Sequence, residues 1–138
     1  MSFNEYDHLA NQVASFNVRT TENMAWIEDE ESRSLNVLST HSLVEVVHKC
    51  GFEFLKDHIE SYYTSVVVET HLKHISVTPI GMTINVKLKV REVKMNLVVF
   101  EFEVFDEKTK IAEGEFKRAV ISKTYLLRKI NEKASQNS

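Results

Sequence analysis

The chain has 138 residues, 43% hydrophobic and 27% charged, with three glycines, one proline and one cysteine. That length admits one ordinary globular domain with a sizeable core and is too short for two. A formal charge of −3 gives no electrostatic support for a nucleic-acid partner, and the lone Cys50 excludes an intramolecular disulfide, so packing must carry the stability.

No cluster of cysteine and histidine has the spacing of a zinc site, so no metal is expected. The opening MSFNEYDHLA lacks the basic and apolar segments of a secretory signal, and no apolar run approaches the ~20 residues of a membrane helix. The expectation is a cytoplasmic protein without membrane contact.

In chain order, the acidic run from Glu28 to Glu31 reads as a solvated loop. The segment SLVEVVHKCGFEFLKDHI then places Leu43, Val47, Cys50 and Phe54 on one line and Val44, Gly51 and Leu55 on its neighbour. This spacing predicts a helix from Ser42 to Ile59 with one broad buried face. Ser42 followed by Glu45 fits a capping box, which puts Thr40 just outside the helix.

After the helix the period changes to two in four consecutive segments, YTSVVVETHLKHISV, MTINVKLKVREV, LVVFEFEVFDE and KIAEGEFKRAVI. Ile84, Val86, Leu88 and Val90 face one way while Lys87, Lys89 and Arg91 face the other; Phe100, Phe102 and Val104 oppose Glu101 and Glu103. Short joins near 94–96 and 107–110 predict hairpins, hence an antiparallel sheet. Its dry face needs a cover, and the long helix is the available one. The expected fold class is α+β, a curved sheet around a central helix in one domain, 1–138, with a core over about 12–123. Residues 124–138 would form a terminal helix, about Lys123 to Lys133, and a frayed tail, NEKASQNS.

Alternation puts Val66, Val68, Thr70, Leu72 and His74 on one parity and Glu69, His71 and Lys73 on the other. His71 is expected in solvent and His74 on the apolar face, where its imidazole needs a partner. A paired structural histidine and a functional one both fit that position. His48 lies beside the apolar line of the helix, and Arg118 shares the inward parity of Ala112, Gly114 and Phe116, where it needs an anion, a carbonyl or water. Phe16, Trp26, Phe52 and Phe54 can line a pocket or fill the core, and core is the first expectation for each.

The segments VLSTHSLVEVVHKC, HLKHISVTPIGMTINVKLKVREV and EGEFKRAVI resemble the hotdog-fold thioesterases, in the branch that includes fluoroacetyl-CoA thioesterase. The likeness covers Leu35 to Ile121. Its specific parts are Thr40 before the helix, His74 five residues before Pro79, the T-P-x-G-M run containing Gly81, and the G-x-x-x-R ending at Arg118.

The resemblance implies a hotdog sheet of five or six strands, a homodimer or dimer of dimers with sites near the subunit interface, and hydrolysis of an acyl-CoA thioester with no cofactor beyond the substrate's CoA. It implies catalytic roles for Thr40 and His74, with His48 where the family has a glutamate, and substrate contacts from Val67, Gly81 and Arg118. A carboxylate at position 48 could form a mixed anhydride; an imidazole cannot, but it can still serve as a base. Val67 stands where relatives carry a glycine that lets the backbone approach the thioester.

The resulting expectation is that His48 and His74 border the thioester and one imidazole deprotonates water while Thr40 binds the carbonyl or orients the base; the two would titrate together if they are close. The alternative is a non-catalytic acyl-CoA-binding or sensing module. An enoyl-CoA hydratase ranks below both, because the region near Thr40 lacks the Asp and downstream His such enzymes use; a purely structural dimerisation domain is the remaining option.

Overall fold

The computed structural model describes residues 5–135. Strands β1 (Val13–Arg19), β2 (Tyr63–His74), β3 (Thr83–Lys94), β4 (Leu97–Phe105) and β5 (Lys110–Ser122) form one antiparallel sheet in the order β1-β3-β4-β5-β2. Helix α1 (Glu30–Leu35) leads into the long α2 (Thr40–Lys56), and α3 (Lys123–Ser135) follows β5.

The four strands expected after the helix are present, and two of the joins are tight. Met95 takes φ +56° between β3 and β4; between β4 and β5 the Asp106 carboxylate accepts from the backbone of Lys108 and Thr109. The fifth strand, β1, precedes the helix. Its half-buried Ala14, Phe16 and Val18 alternate with exposed neighbours, a period of two in VASFNVR that Ser15 and Asn17 weaken.

The core lies between α2 and the sheet. Leu43, Val47, Cys50, Phe54 and Leu55 pack against Ile84, Val86, Leu88, Phe100, Phe102, Val104 and Phe116, all buried. Lys87, Lys89 and Arg91 are exposed, as alternation requires. Phe100 and Phe116 stack at 4.8 Å between centroids, and Phe54 meets Phe100 edge-on. Trp26 and Phe52 depart from the core expectation: each is 37% exposed, Trp26 in a cleft and Phe52 beneath the Arg118 guanidinium.

Four boundaries differ from the sequence reading. Ser39, not Ser42, caps α2: its side chain accepts from the Ser42 amide at 3.1 Å, which draws Thr40 into the helix as its first residue. The helix ends at Lys56 rather than Ile59. The acidic run is not all loop, because Asp29 forms a capping box with Ser32 and starts α1, where Glu30 and Glu31 favour the positive end of the helix. The helix expected near the end extends to Ser135, which takes up most of the segment read as tail; 136–138 lie outside the described residues. No helix among the described residues is long and apolar enough to cross a membrane.

Candidate active site

Strand β2 has a bulge. Its register with β5 shifts between Val67 and Glu69, so Val68 becomes an extra residue, 56% exposed instead of inward. Strict alternation would put Ser65 and Thr70, an odd number of positions apart, on opposite faces. The bulge instead aims both at the helix. His71 is exposed, as alternation predicts; its parity with Glu69 lies wholly after the bulge.

Thr40 and His74 meet at the upper end of this strand. Thr40 Oγ1 lies 2.8 Å from His74 Nδ1. The chain before α2 is pinned from two sides to make this possible. Ser39 donates its amide to Met24 O, Leu38 to Thr78 O, and Ile80 to Asn36 O, which takes the left-handed φ of +55° at the end of α1. Thr40 is therefore held by three crossing segments rather than by the helix alone.

His74 Nε2 is buried and has no hydrogen-bond partner of normal geometry. Burial pushes the imidazole pKa below its ordinary value, and the Ser76 backbone opposes that shift. The ring is thus neutral at pH 7. With its proton on Nε2, Nδ1 accepts from the Thr40 hydroxyl, the arrangement of a nucleophile and its base. One imidazole nitrogen is therefore taken by Thr40 and the other is buried.

His48 lies elsewhere on the helix. Its Nε2 is 2.7 Å from Thr70 Oγ1, and its ring tilts against Phe116 at 5.5 Å. Burial lowers its pKa, and the Arg118 charge lowers it further. Thr70 precedes His74 by four residues on β2, about 13 Å along an extended strand. Within one chain the two imidazoles are therefore not neighbours, and the condition for a coupled titration is not met there.

Arg118 is buried, as its parity predicts, and finds carbonyls. Nη1 donates to Ser65 O at 2.8 Å and Ser65 Oγ at 3.1 Å, while Nη2 donates to the backbone carbonyl of His48 at 2.8 Å. Burial lowers its pKa without discharging it. Val67 pairs directly with Arg118 across β2 and β5. Gly81 sits away from the Thr40–His74 cleft, in the turn after Pro79; its φ is +106° and its amide donates to Thr20 Oγ1.

An open cavity of about 1080 Å³ lies over the Thr40–His74 pair, lined mainly by Trp26, Ile27, Leu35, Val37, Val44 and Val77. Among the described residues no three His, Cys, Asp or Glu side chains converge as a metal ion would require.

A family model described as the fluoroacetyl-CoA-specific thioesterase FlK matches residues 20–124, a span that contains Thr40, His48, His74 and Arg118. The chain belongs to the FlK family. No curated protein sequence matches it significantly.

Solved structures agree on the fold. A hot-dog-like protein from Thermanaerovibrio acidaminovorans superposes with a TM-score of 0.85 at 18% identity, over 93% of this chain and 96% of that one. A thioesterase superfamily member from Thermus thermophilus gives 0.80 at 18%, over 92% and 96%. The fluoroacetyl-CoA thioesterase FlK itself gives 0.79 at 20%, over 94% and 96%. The five-stranded sheet around α2 is a hotdog fold.

For this FlK-family chain, Thr70, Ser65 and Ser39 are the site residues that the sequence reading passed over. Thr70 shares the parity of His74 and was legible as an inward hydroxyl. Ser39 was legible as a cap, three residues before Ser42. Ser65 was hidden, because only the bulge turns it inward.

Proposed function

We propose that this chain hydrolyses an acyl-CoA thioester at Thr40 and His74. The observation that carries the reading is the 2.8 Å contact between Thr40 Oγ1 and His74 Nδ1 at the floor of an apolar cleft.

In this reading the Thr40 hydroxyl passes its proton to Nδ1 and attacks the thioester carbonyl carbon. The carbon–sulfur bond breaks, and the sulfur leaves as the CoA thiol with the proton from His74. Water then cleaves the ester on Thr40 with His74 again as base, releasing the carboxylic acid. In this reading the carbonyl oxygen faces the N-terminus of α2, whose partial positive charge favours a developing oxyanion.

His48 has a different place. It follows Thr40 by eight residues on α2, about 12 Å along the axis, so one chain cannot set both on one thioester. The outer edge of β2 has no strand partner among the described residues. A second copy joined there would bring the His48 of one chain toward the Thr40–His74 pair of the other. Arg118 supports that arrangement by fixing the helix at the His48 carbonyl, Val67 flanks it, and Gly81 shapes the turn leading into β3.

The test is release of free CoA from a panel of acyl-CoAs, with Thr40→Ser, Thr40→Ala and His74→Ala beside the wild type. A nucleophilic hydroxyl predicts retained turnover in the serine variant, an acyl group on Thr40 visible by mass spectrometry, and a loss of about 100-fold or more in the alanine variants. Equal turnover in Thr40→Ala would sink the reading. If acyl-CoA binds without turnover, the sensing module takes its place; His48 and Val67 at the family's glutamate and glycine positions are what favour that alternative.

A further inference from the structure

The FlK family takes its description from a two-carbon acyl group, whereas the cleft over Thr40 and His74 is built for something larger. Its walls come from three chain segments already tied together: Trp26 donates its amide to Val37 O at 2.8 Å, Ala25 bridges to Leu38, and Val37 bridges to Pro79. The Trp26 indole is fixed by its Nε1–H, which donates to Glu28 Oε1 at 2.7 Å. The walls are therefore formed before any ligand arrives.

These walls are apolar and uncovered. Ile27 is 52% exposed, Leu35 59% and Val77 68%, and all three line the same cleft as Trp26 and Val44. Contiguous apolar surface of this kind is costly in water unless a ligand or partner covers it. An acetyl-sized group bonded next to Thr40 would leave most of it wet. The lining includes no lysine or arginine, and its one carboxylate is Glu28, so an acyl chain ending in a carboxylate would meet no fixed cation and one like charge.

We infer that the acyl group this chain takes is uncharged, apolar and larger than acetyl: a medium-length, branched or aryl acyl group lying along Trp26 and Val77. The inference rests on Thr40 and His74 being the thioester site, as proposed above. Each methylene newly covered by the cleft adds about fourfold to binding or to kcat/KM.

Two measurements separate this inference from the proposal it builds on. The first is kcat/KM for acetyl-, hexanoyl-, phenylacetyl- and succinyl-CoA. The second is calorimetric binding of the non-hydrolysable thioether analogues of acetyl- and hexanoyl-CoA, which needs no turnover. The expected result is a preference of at least about tenfold for hexanoyl and phenylacetyl over acetyl, succinyl the poorest, and the same order in binding. Trp26→Ala and Val77→Asp should each shrink the hexanoyl-to-acetyl ratio; Val77 is exposed, so its substitution leaves the core intact. Turnover that is flat or best with acetyl overturns the inference and leaves hydrolysis standing. Absent turnover with tighter hexanoyl binding does the reverse. Equal binding of both analogues assigns the apolar wall to a protein contact and overturns the inference.

Discussion

Arg118 donates from Nη2 to the backbone carbonyl of His48 at 2.8 Å, joining the inner face of β5 to the middle of α2. The same guanidinium holds both oxygens of Ser65 on β2. One buried cation thus ties two strands and the helix, with the Phe52 ring lying against it at 5.4 Å from the centroid.

Replacing Arg118 with methionine keeps much of the volume and leaves those buried acceptors without a donor. The expected cost is about 2–4 kcal/mol, from lost hydrogen bonds to a charged group and unsatisfied oxygens. Urea unfolding measures it. A change below about 0.5 kcal/mol, the range of ordinary surface substitutions, would show that the network contributes nothing.

Gly51 sits in the middle of α2, where alanine is the better helix former by about 1 kcal/mol. Here the preference should reverse. A Cβ at this position would lie 2.6 and 2.7 Å from two Phe116 ring atoms, and that ring is stacked on Phe100 and cannot swing away freely. Gly51→Ala should destabilise by about 1–3 kcal/mol through overpacking. A stabilised variant in the same unfolding assay would contradict this packing.

Ser39→Ala removes the cap that starts α2 and should cost about 1 kcal/mol. It should also lower turnover more than it lowers stability at the assay temperature, since the cap fixes Thr40 as the first helical residue. Glu45→Ala tests the capping box that the sequence suggested, and should leave the melting temperature within a degree or so, as for a surface change. The reverse ranking of the two variants would restore Ser42 as the cap.

Both His48 and His74 are shifted downward by burial, so the folded chain resists protonating them more than the unfolded chain does. Below the unfolded histidine pKa of about 6.5 the unfolded state binds more protons. The stability these groups contribute is therefore present above about pH 6.5 and is lost as pH falls through their folded values. Thermal unfolding at pH 7.5 and 5.5 should show the lower midpoint at 5.5, with the gap reduced in His48→Gln. The acid limb of kcat/KM should likewise fall below pH 6.5, where His74 takes up its proton. A limb centred above 7 would exclude His74 as the base.

What was legible along the chain is what local periodicity can express. A 3.6-residue repeat marked α2, and a two-residue repeat marked β2 to β5 and placed Arg118 inward and Lys87, Lys89 and Arg91 outward, because each pattern needs only neighbours along one segment. Thr40 and His74 were visible as residues through their resemblance to a family. Tertiary structure alone decided that they touch, since the contact joins positions 34 apart in the chain through segments pinned by backbone bonds. It also decided the bulge at Val68, which depends on how β5 pairs and which turns Ser65 and Thr70 to the same side. Finally, it separated His48 from His74, because His48 packs against Thr70 while His74 meets Thr40, contacts that depend on how β2 lies across α2 and that no spacing within one segment expresses.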